Sequence, residues 1–448
     1  MEQGQGLAGK ILSGAAALTG GVAAGAAALV GLLSFSLLLP VWTGRYTFYI
    51  AVFGAAVFAG LTRRWWKPWP AGPFLLRLGS LVMAVWVVVA AVHGVVHRRF
   101  DRYRGELKAK GLPVSLAEFA ETLPDDRYGE AAYEAAFARL DPEGKWPGFV
   151  AETKVERWSA DSGKKTESLV RSAEPALLKE LVPLSGRFSR YKKVDYAAAG
   201  RRPFDTQLPK FGPLMKAANM LKLCAAWRAW RGEPEKAWAH VRLLLDMGDL
   251  ILTERSALAK AVVLRLRRFA AEAALMVKLN APGAALPKDL AARFKKAAVE
   301  RPMSEGLEAE VAMWLDMRDS FEREPALGAG VWGGPDAAFF ERALGRWAVA
   351  MGLMDVNIQA SAEHHSSWTQ VESPDQLREL ERRERELEDL PLWPCMLARL
   401  ATPRFSGLLE KQADLQALLR QTAGPGLFRR AQTDLPHLRA LAVDDGRR

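Results

Sequence analysis

Three uncharged runs near the start of the chain limit its folding options more than any other feature. Residues 11–44, 46–62 and 78–97 carry no Asp, Glu, Lys or Arg. A bilayer-spanning helix needs about 20 mostly apolar residues, with about 17 as the lower end. The run 78–97 (LGSLVMAVWVVVAAVHGVVH) meets that requirement well, and 46–62 (YTFYIAVFGAAVFAGLT) meets it at the short end. The first run is long enough but rich in Gly and Ala, so its transfer into lipid is the weakest per residue. Its Gly21-Val-Ala-Ala-Gly25 fits the small-xxx-small spacing that lets helix backbones approach in lipid, although Ala/Gly filler reads the same way. A cleaved leader fits the first run less well, because its only upstream cation is Lys10 and the apolar stretch exceeds a roughly 7–15-residue leader core. The expectation is a retained anchor over residues 1–97, with candidate spans 14–39, 46–62 and 78–97.

Between the second and third runs lies RRWWKPWP. Arg63, Arg64, Trp65, Trp66, Lys67 and Trp69 are the types that settle at a membrane–water boundary. The indole is apolar with one N–H to satisfy, and Arg or Lys can snorkel from the same depth. Pro68, Pro70 and Pro73 end the helices and make the return. A tryptophan platform for single-stranded nucleic acid would need a longer groove than eight residues between two spans provide.

Charge is divided unevenly. Residues 1–97 hold six cations against one carboxylate, a net of +5 out of +11, so the remainder is only mildly basic. The basic balance therefore gives no reason to expect a nucleic-acid partner. Basic residues flanking the spans favour, by a small margin, placing residues 98–448 in the cytoplasm. Two cysteines, Cys224 and Cys395, supply neither a disulfide framework nor a thiolate metal site.

From residue 98 onward the pattern is helical, and the expected fold class is all-α: a transmembrane anchor followed by a stack of α-hairpins. Ser115-Leu-Ala-Glu118 reads as a capping box, and Ser373-Pro374 as a helix start with Pro at the first turn. Pro213, Pro234 and Pro287 hold similar places. Leu214, Ala218, Leu221 and Ala225 form one apolar stripe. After RGEP a second begins at Ala237 and continues through Val241, Leu244, Gly248 and Ile251. The short turn makes 213–252 an antiparallel hairpin. A third stripe runs through Leu258, Val262, Leu266, Phe269, Ala273 and Met276. The organisation expected is a helical domain 98–327, a Gly-rich linker 328–335 and a helical region 336–448.

Ala225, Gly232 and Ala237 stand where a tetratricopeptide hairpin has its small residue, turn glycine and second small residue, so 213–252 resembles one such unit. Asp249 takes the place of the usual closing proline, and no second copy follows at a period of 34. Residues 111–135, with Leu123-Pro124-Asp125-Asp126, and the Gly232-Glu233-Pro234-Glu235-Lys236-Ala237 turn resemble a group of uncharacterised, membrane-anchored all-helical proteins of bacteria such as planctomycetes. The resemblance implies a hydrophobic anchor, a helical body and a bacterial membrane. Three candidate spans depart from the single one usual in that group.

Sites with chemical potential are few. Gly328-Ala-Gly330-Val-Trp-Gly333 matches G-x-G-x-x-G but follows a charged helix end rather than a strand, so no dinucleotide is expected. Glu363-His364-His365 has metal-ligating types, yet adjacent helical residues point about 100° apart, and solvated residues in a helix-ending loop are expected. His93 lies near the end of the third run and reads as interfacial. The Asp246/Asp249 pair reads as the wet edge of a helix, and ELERRERELEDL as a helix with alternating charges joined by i,i+4 pairs. Trp227, Arg228, Trp230, Arg231 and Trp238 cluster at the hairpin turn as a candidate partner surface, with core packing as the alternative. No cofactor and no metal are expected. The function expected is a membrane-anchored scaffold or protein-interaction module of a bacterial envelope; its partners are the lipid bilayer and a protein, with homo-oligomerisation left open. The alternative is a membrane-bound enzyme acting on a lipid or envelope substrate through Glu363, His364, His365 or Asp246/Asp249.

Overall fold

In the computed structural model the described residues are 94–120, 124–141, 158–196, 210–323, 353–369, 374–389 and 406–423, with Ala91, Trp146, Val155 and Val371 besides. The candidate spans up to residue 90, the RRWWKPWP loop, His93, the 328–335 linker and Cys395 lie outside them. Among the described residues every regular element is helical, and none is long and apolar enough to cross a membrane.

Among the described residues eleven α-helices carry the body. They are α1 (94–109), α2 (Glu130–Leu140), α3 (Ala160–Leu181), α4 (Phe211–Trp230), α5 (Pro234–Leu252), α6 (Ala257–Asn280), α7 (Lys288–Ala297), α8 (Pro302–Arg323), α9 (Leu353–Trp368), α10 (Pro374–Asp389) and α11 (Ser406–Ala423). An isolated bridge between Tyr128 and Arg190 is the sole β-type pairing described.

The α4–α5 hairpin forms as its stripes require. Leu214, Ala218, Leu221 and Ala225 are buried, as are Ala237, Val241, Leu244, Gly248 and Ile251. Its turn is a Schellman ending. Glu233 N–H donates to Arg228 O at 2.9 Å and Gly232 N–H to Ala229 O at 3.0 Å, with Gly232 at φ +76°. Glycine is suited to that left-handed position because it has no Cβ to clash. Pro234 then starts α5 where no backbone donor is needed.

Helix α6 packs on both members of the hairpin and on α8. Its buried arc is centred on Ala259, Val263, Leu266, Ala270, Ala273 and Val277. Leu258 lies about 100° from that centre and is 50% exposed, which corrects the expected third stripe at its first member. Alanines shifted the centre: Ala259, Ala270 and Ala273 make up half of the arc, but they weigh little in a reading guided by large apolar residues.

The expected 98–327 and 336–448 regions share a core. Trp368, Leu380, Leu409, Leu415 and Leu419 belong to the same cluster as the hairpin, and α1, α8 and α9 build a second one from Phe100, Leu107, Trp314, Leu315, Phe321, Ile358 and Ala362. Ser115 does act as a cap, accepting from Ala117 N at 3.2 Å, but of a one-turn 3-10 helix, and Glu118 takes the Val114 N–H instead. Asp316 of α8 completes that corner by accepting from Leu116 N at 2.7 Å. On α10, Glu379 pairs with Arg382 and Arg383 along the helix, as the alternating charges require.

Candidate functional site

The tryptophan–arginine cluster at the hairpin turn is largely interior. Trp238 is fully buried and Trp227 nearly so. Trp230 is half-buried against α3, where a Cβ on Gly163 would fall 2.5 Å from its ring. Arg228 is committed to Glu174: Nε donates at 2.8 Å, Nη2 at 2.5 Å, and Nη1 reaches Glu233 at 2.6 Å. Arg231 alone is exposed, its guanidinium 5.6 Å from the Trp227 ring centre. The expected partner surface is thus corrected to a packing cluster. Rings of this size gain most by leaving water, and Trp227 and Trp238 are buried in the main core cluster.

At the centre of that cluster lies a triad the sequence reading missed. Glu174 accepts from Arg228 and lies 2.6 Å from His240 Nε2, with Glu174 and His240 both buried. Burial works against the carboxylate, but hydrogen bonds from His240 and Arg228 outweigh it and hold Glu174 at about 2. His240 Nδ1 has no partner among the described residues. The neighbouring Cys224 is sealed in, and burial pushes its thiol far above the ordinary range, which makes it unreactive. A signal for this existed: His240 falls three residues after Ala237 and four before Leu244, squarely on the buried stripe.

Glu363, His364 and His365 lie within α9, not in a loop, and both histidines are buried. His365 Nδ1 lies 2.5 Å from Ser361 O, and Trp368 Nε1 donates to His364 Nε2 at 2.9 Å. Burial lowers His364 to about 3 and His365 to about 4. Their rings stand 5.9 Å apart and nearly perpendicular, so they do not converge on one ion. No group of three candidate ligands is found among the described residues. The solvated reading of these histidines is corrected. Tertiary packing of α9 against α8 places residues of polar type inside.

Asp246 and Asp249 are bridged by one guanidinium, Arg293, at 2.7 and 2.8 Å. Asp249 is the wetter of the two at 52% exposure, while Asp246 also accepts from Ser185. Both carboxylates are therefore engaged in an ion-pair clamp between α5 and α7.

A small cleft lies at the other end of the hairpin, where α5 bends into α6. It is lined by Phe119, Tyr128, Arg190, Lys192, Val194, Tyr196, Thr253, Glu254 and Arg255, and its cavity volume is about 20 Å³, room for little more than one water. Arg190 holds the bend by donating to Thr253 O at 2.5 Å. Lys192 N–H donates to Glu254 Oε1 at 2.8 Å, and its ammonium pairs with Glu130 at 3.0 Å. Arg255 lies over Phe119 at 5.5 Å, and Phe119 meets Tyr196 with ring centres 6.1 Å apart. Glu254 is 4% exposed; burial pushes it up to about 7 despite the Lys192 N–H and the nearby Arg190. This cleft escaped the sequence reading because its walls come from three segments distant in sequence.

No family model, curated protein or solved structure matches this chain.

Proposed function

We propose that the chain is a membrane-anchored, all-α interaction module of a bacterial envelope that offers the cleft at the α5–α6 bend to a protein partner. One observation carries this reading: the cleft gathers Phe119, Tyr128, Tyr196, Arg190 and Arg255 on one partly open surface. Aromatic and arginine side chains are the residues most enriched where protein contacts concentrate their energy. The tether is assigned to residues 1–97 on the strength of their uncharged runs, with the body leaning to the cytoplasmic face of the inner membrane. The membrane-anchored helical proteins that the sequence resembles support the same arrangement.

The test is affinity capture of the full-length chain from solubilised membranes, comparing wild type with Arg255→Glu. A partner recovered by the first and lost by the second is expected. A wild-type chain recovered alone in several detergents would reject the reading, and recovery of a second copy of the chain would make the cleft a self-association surface. Digestion of the body by protease added outside right-side-out vesicles would reverse the orientation.

A second reading, an enzyme acting on an envelope substrate, is favoured by Glu254, whose elevated carboxyl falls in the range useful for general acid–base work. It requires an activity whose pH profile turns near 7 and loses that turn in Glu254→Gln.

A further inference from the structure

We propose that the outward face of α1 is a docking surface for the headgroups of acidic phospholipids, held by Arg98, Arg99 and Arg102. This rests on the anchor reading above and specifies what lipid the anchor prefers.

Val95, Arg98, Arg99 and Arg102 follow the i, i+3, i+4, i+7 spacing that places them on one helix face. All four are exposed, Val95 to 67%. That face is fixed in orientation because the opposite one is packed. Phe100 and Leu107 are buried, Arg104 donates to Asp319 at 2.8 Å, and Tyr103 meets Ser366 at 3.1 Å. No ion pair among the described residues engages the three arginines. The nearest acid on the helix, Asp101, lies off the stripe and faces His97 at 3.4 Å, and Glu106 follows Arg102 by one turn on the same face without an ion pair to it.

The order along the face, an exposed valine and then three cations outside any ion pair, follows directly on the uncharged run 78–97. A helix leaving hydrocarbon for a phosphate layer needs that order. At about 1.5 Å rise per residue, the arginines sit within roughly 8 Å of the end of the run, while Lys108 and Lys110 lie roughly 16–20 Å beyond it. The field of an anionic leaflet decays over about 8–10 Å at ordinary salt, so the arginines feel it and the lysines do not. Guanidinium also meets phosphate oxygens in bidentate geometry. Each basic residue close to such a surface strengthens attachment by about fivefold.

The experiment titrates the detergent-solubilised full chain with phosphatidylglycerol or phosphatidylcholine and reads bound lipid by native mass spectrometry. Wild type is expected to prefer phosphatidylglycerol by tens of fold. Arg98→Gln/Arg99→Gln/Arg102→Gln should bring the two lipids within about twofold of each other, and Lys108→Gln/Lys110→Gln should leave the preference in place. Equal binding by wild type, loss of preference in the lysine variant alone, or equally effective competition by millimolar inorganic phosphate would overturn the proposal. Unchanged tryptophan-fluorescence melting of the triple variant shows that its body is intact. Alkaline extraction of membranes separates the two readings. A chain released without detergent defeats the anchor and the docking together, whereas a retained chain without lipid preference defeats the docking alone.

Discussion

Glu174 and His240, two buried side chains from α3 and α5, meet at 2.6 Å, and this contact ties the third helix to the hairpin. Arg228 from α4 closes the same carboxylate from the other side, so one acid serves three helices. Removing it leaves the buried His240 imidazole without its partner and the Arg228 guanidinium held by Glu233 alone, a loss of about 3 kcal/mol, the lower end for a broken buried pair. Glu174→Ala should therefore lower the unfolding midpoint sharply in a tryptophan-fluorescence melt. Glu174→Gln should retain part of the stability, since its carbonyl still accepts from Arg228. The carboxylate is held below its unfolded value, so its contribution is present above pH 4.5 and is lost as pH falls toward 2. A Glu174→Gln curve that parallels wild type through that window would contradict the assignment.

Gly163 and Trp230 give a sharper test of whether the hairpin-turn tryptophans pack or bind. Gly163→Ala drives a methyl group into the Trp230 ring at 2.5 Å. Overpacking of this kind costs about 1–3 kcal/mol. Trp230→Leu in the same chain should relieve much of that cost, giving a favourable coupling in a double-mutant cycle. Additive effects would mean that the ring swings freely into solvent, restoring it as a surface residue.

Glu254 is buried and Glu310 half-buried, each carboxyl accepting a backbone N–H, from Lys192 at 2.8 Å and Ala257 at 3.4 Å. Burial raises both to about 7. For an acid raised on folding, the native state holds the proton that the unfolded chain has already released. Stability is then highest below pH 4.5 and falls as pH climbs to 7, by about 3 kcal/mol for each such group. The buried histidines act in the opposite sense across an overlapping window. His364 and His365 are lowered to about 3 and about 4, so their share is complete above pH 6.5 and is lost as pH drops toward those values. Differences between wild type and single variants separate the two. Glu254→Gln should gain relative stability between pH 5 and 7.5, measured by chemical denaturation at stepped pH, and a flat difference would rule out the raised carboxyl.

Legibility followed the size and spacing of side chains. The hairpin could be read because Gly232, Pro234 and two apolar stripes act within 40 residues. The buried ions could not, because a charged letter was taken as a wet position. Lys222 sits beside Leu221 on α4 and pairs with Glu272 of α6 at 2.5 Å; Lys260 reaches Glu305 of α8 at 2.6 Å. Lys222 occupies a slot that helical periodicity gives to the interior, Lys260 lies at the margin of its helix's buried arc, and each partner comes from another helix 50 or 45 residues away. Periodicity can mark the cation as odd but cannot supply the acid. The same limit hid the Glu254 cleft and placed His364 and His365 in solvent.

Gly232 allows backbone conformation to be separated from packing at the one turn that sets the hairpin's register. Its φ of +76° is left-handed, and nothing lies within 4 Å of where a Cβ would stand. Gly232→Ala should therefore cost only the conformational penalty of about 1–2 kcal/mol, with no steric addition. Gly232→Asn should cost less, because a short amide tolerates this region better than a methyl group does. Gly212, in the first turn of α4, has equally open surroundings but no positive φ. Gly212→Ala should be neutral or stabilising, as alanine is favoured over glycine in a helix by up to about 1 kcal/mol. Thermal melts of the three variants thus have a fixed order, with Gly212→Ala above Gly232→Asn and Gly232→Asn above Gly232→Ala. If both alanine variants melted together, the Schellman ending would not be what joins α4 to α5, and the close antiparallel approach of Ala225 and Ala237 would have to be held by the packing of α6 instead.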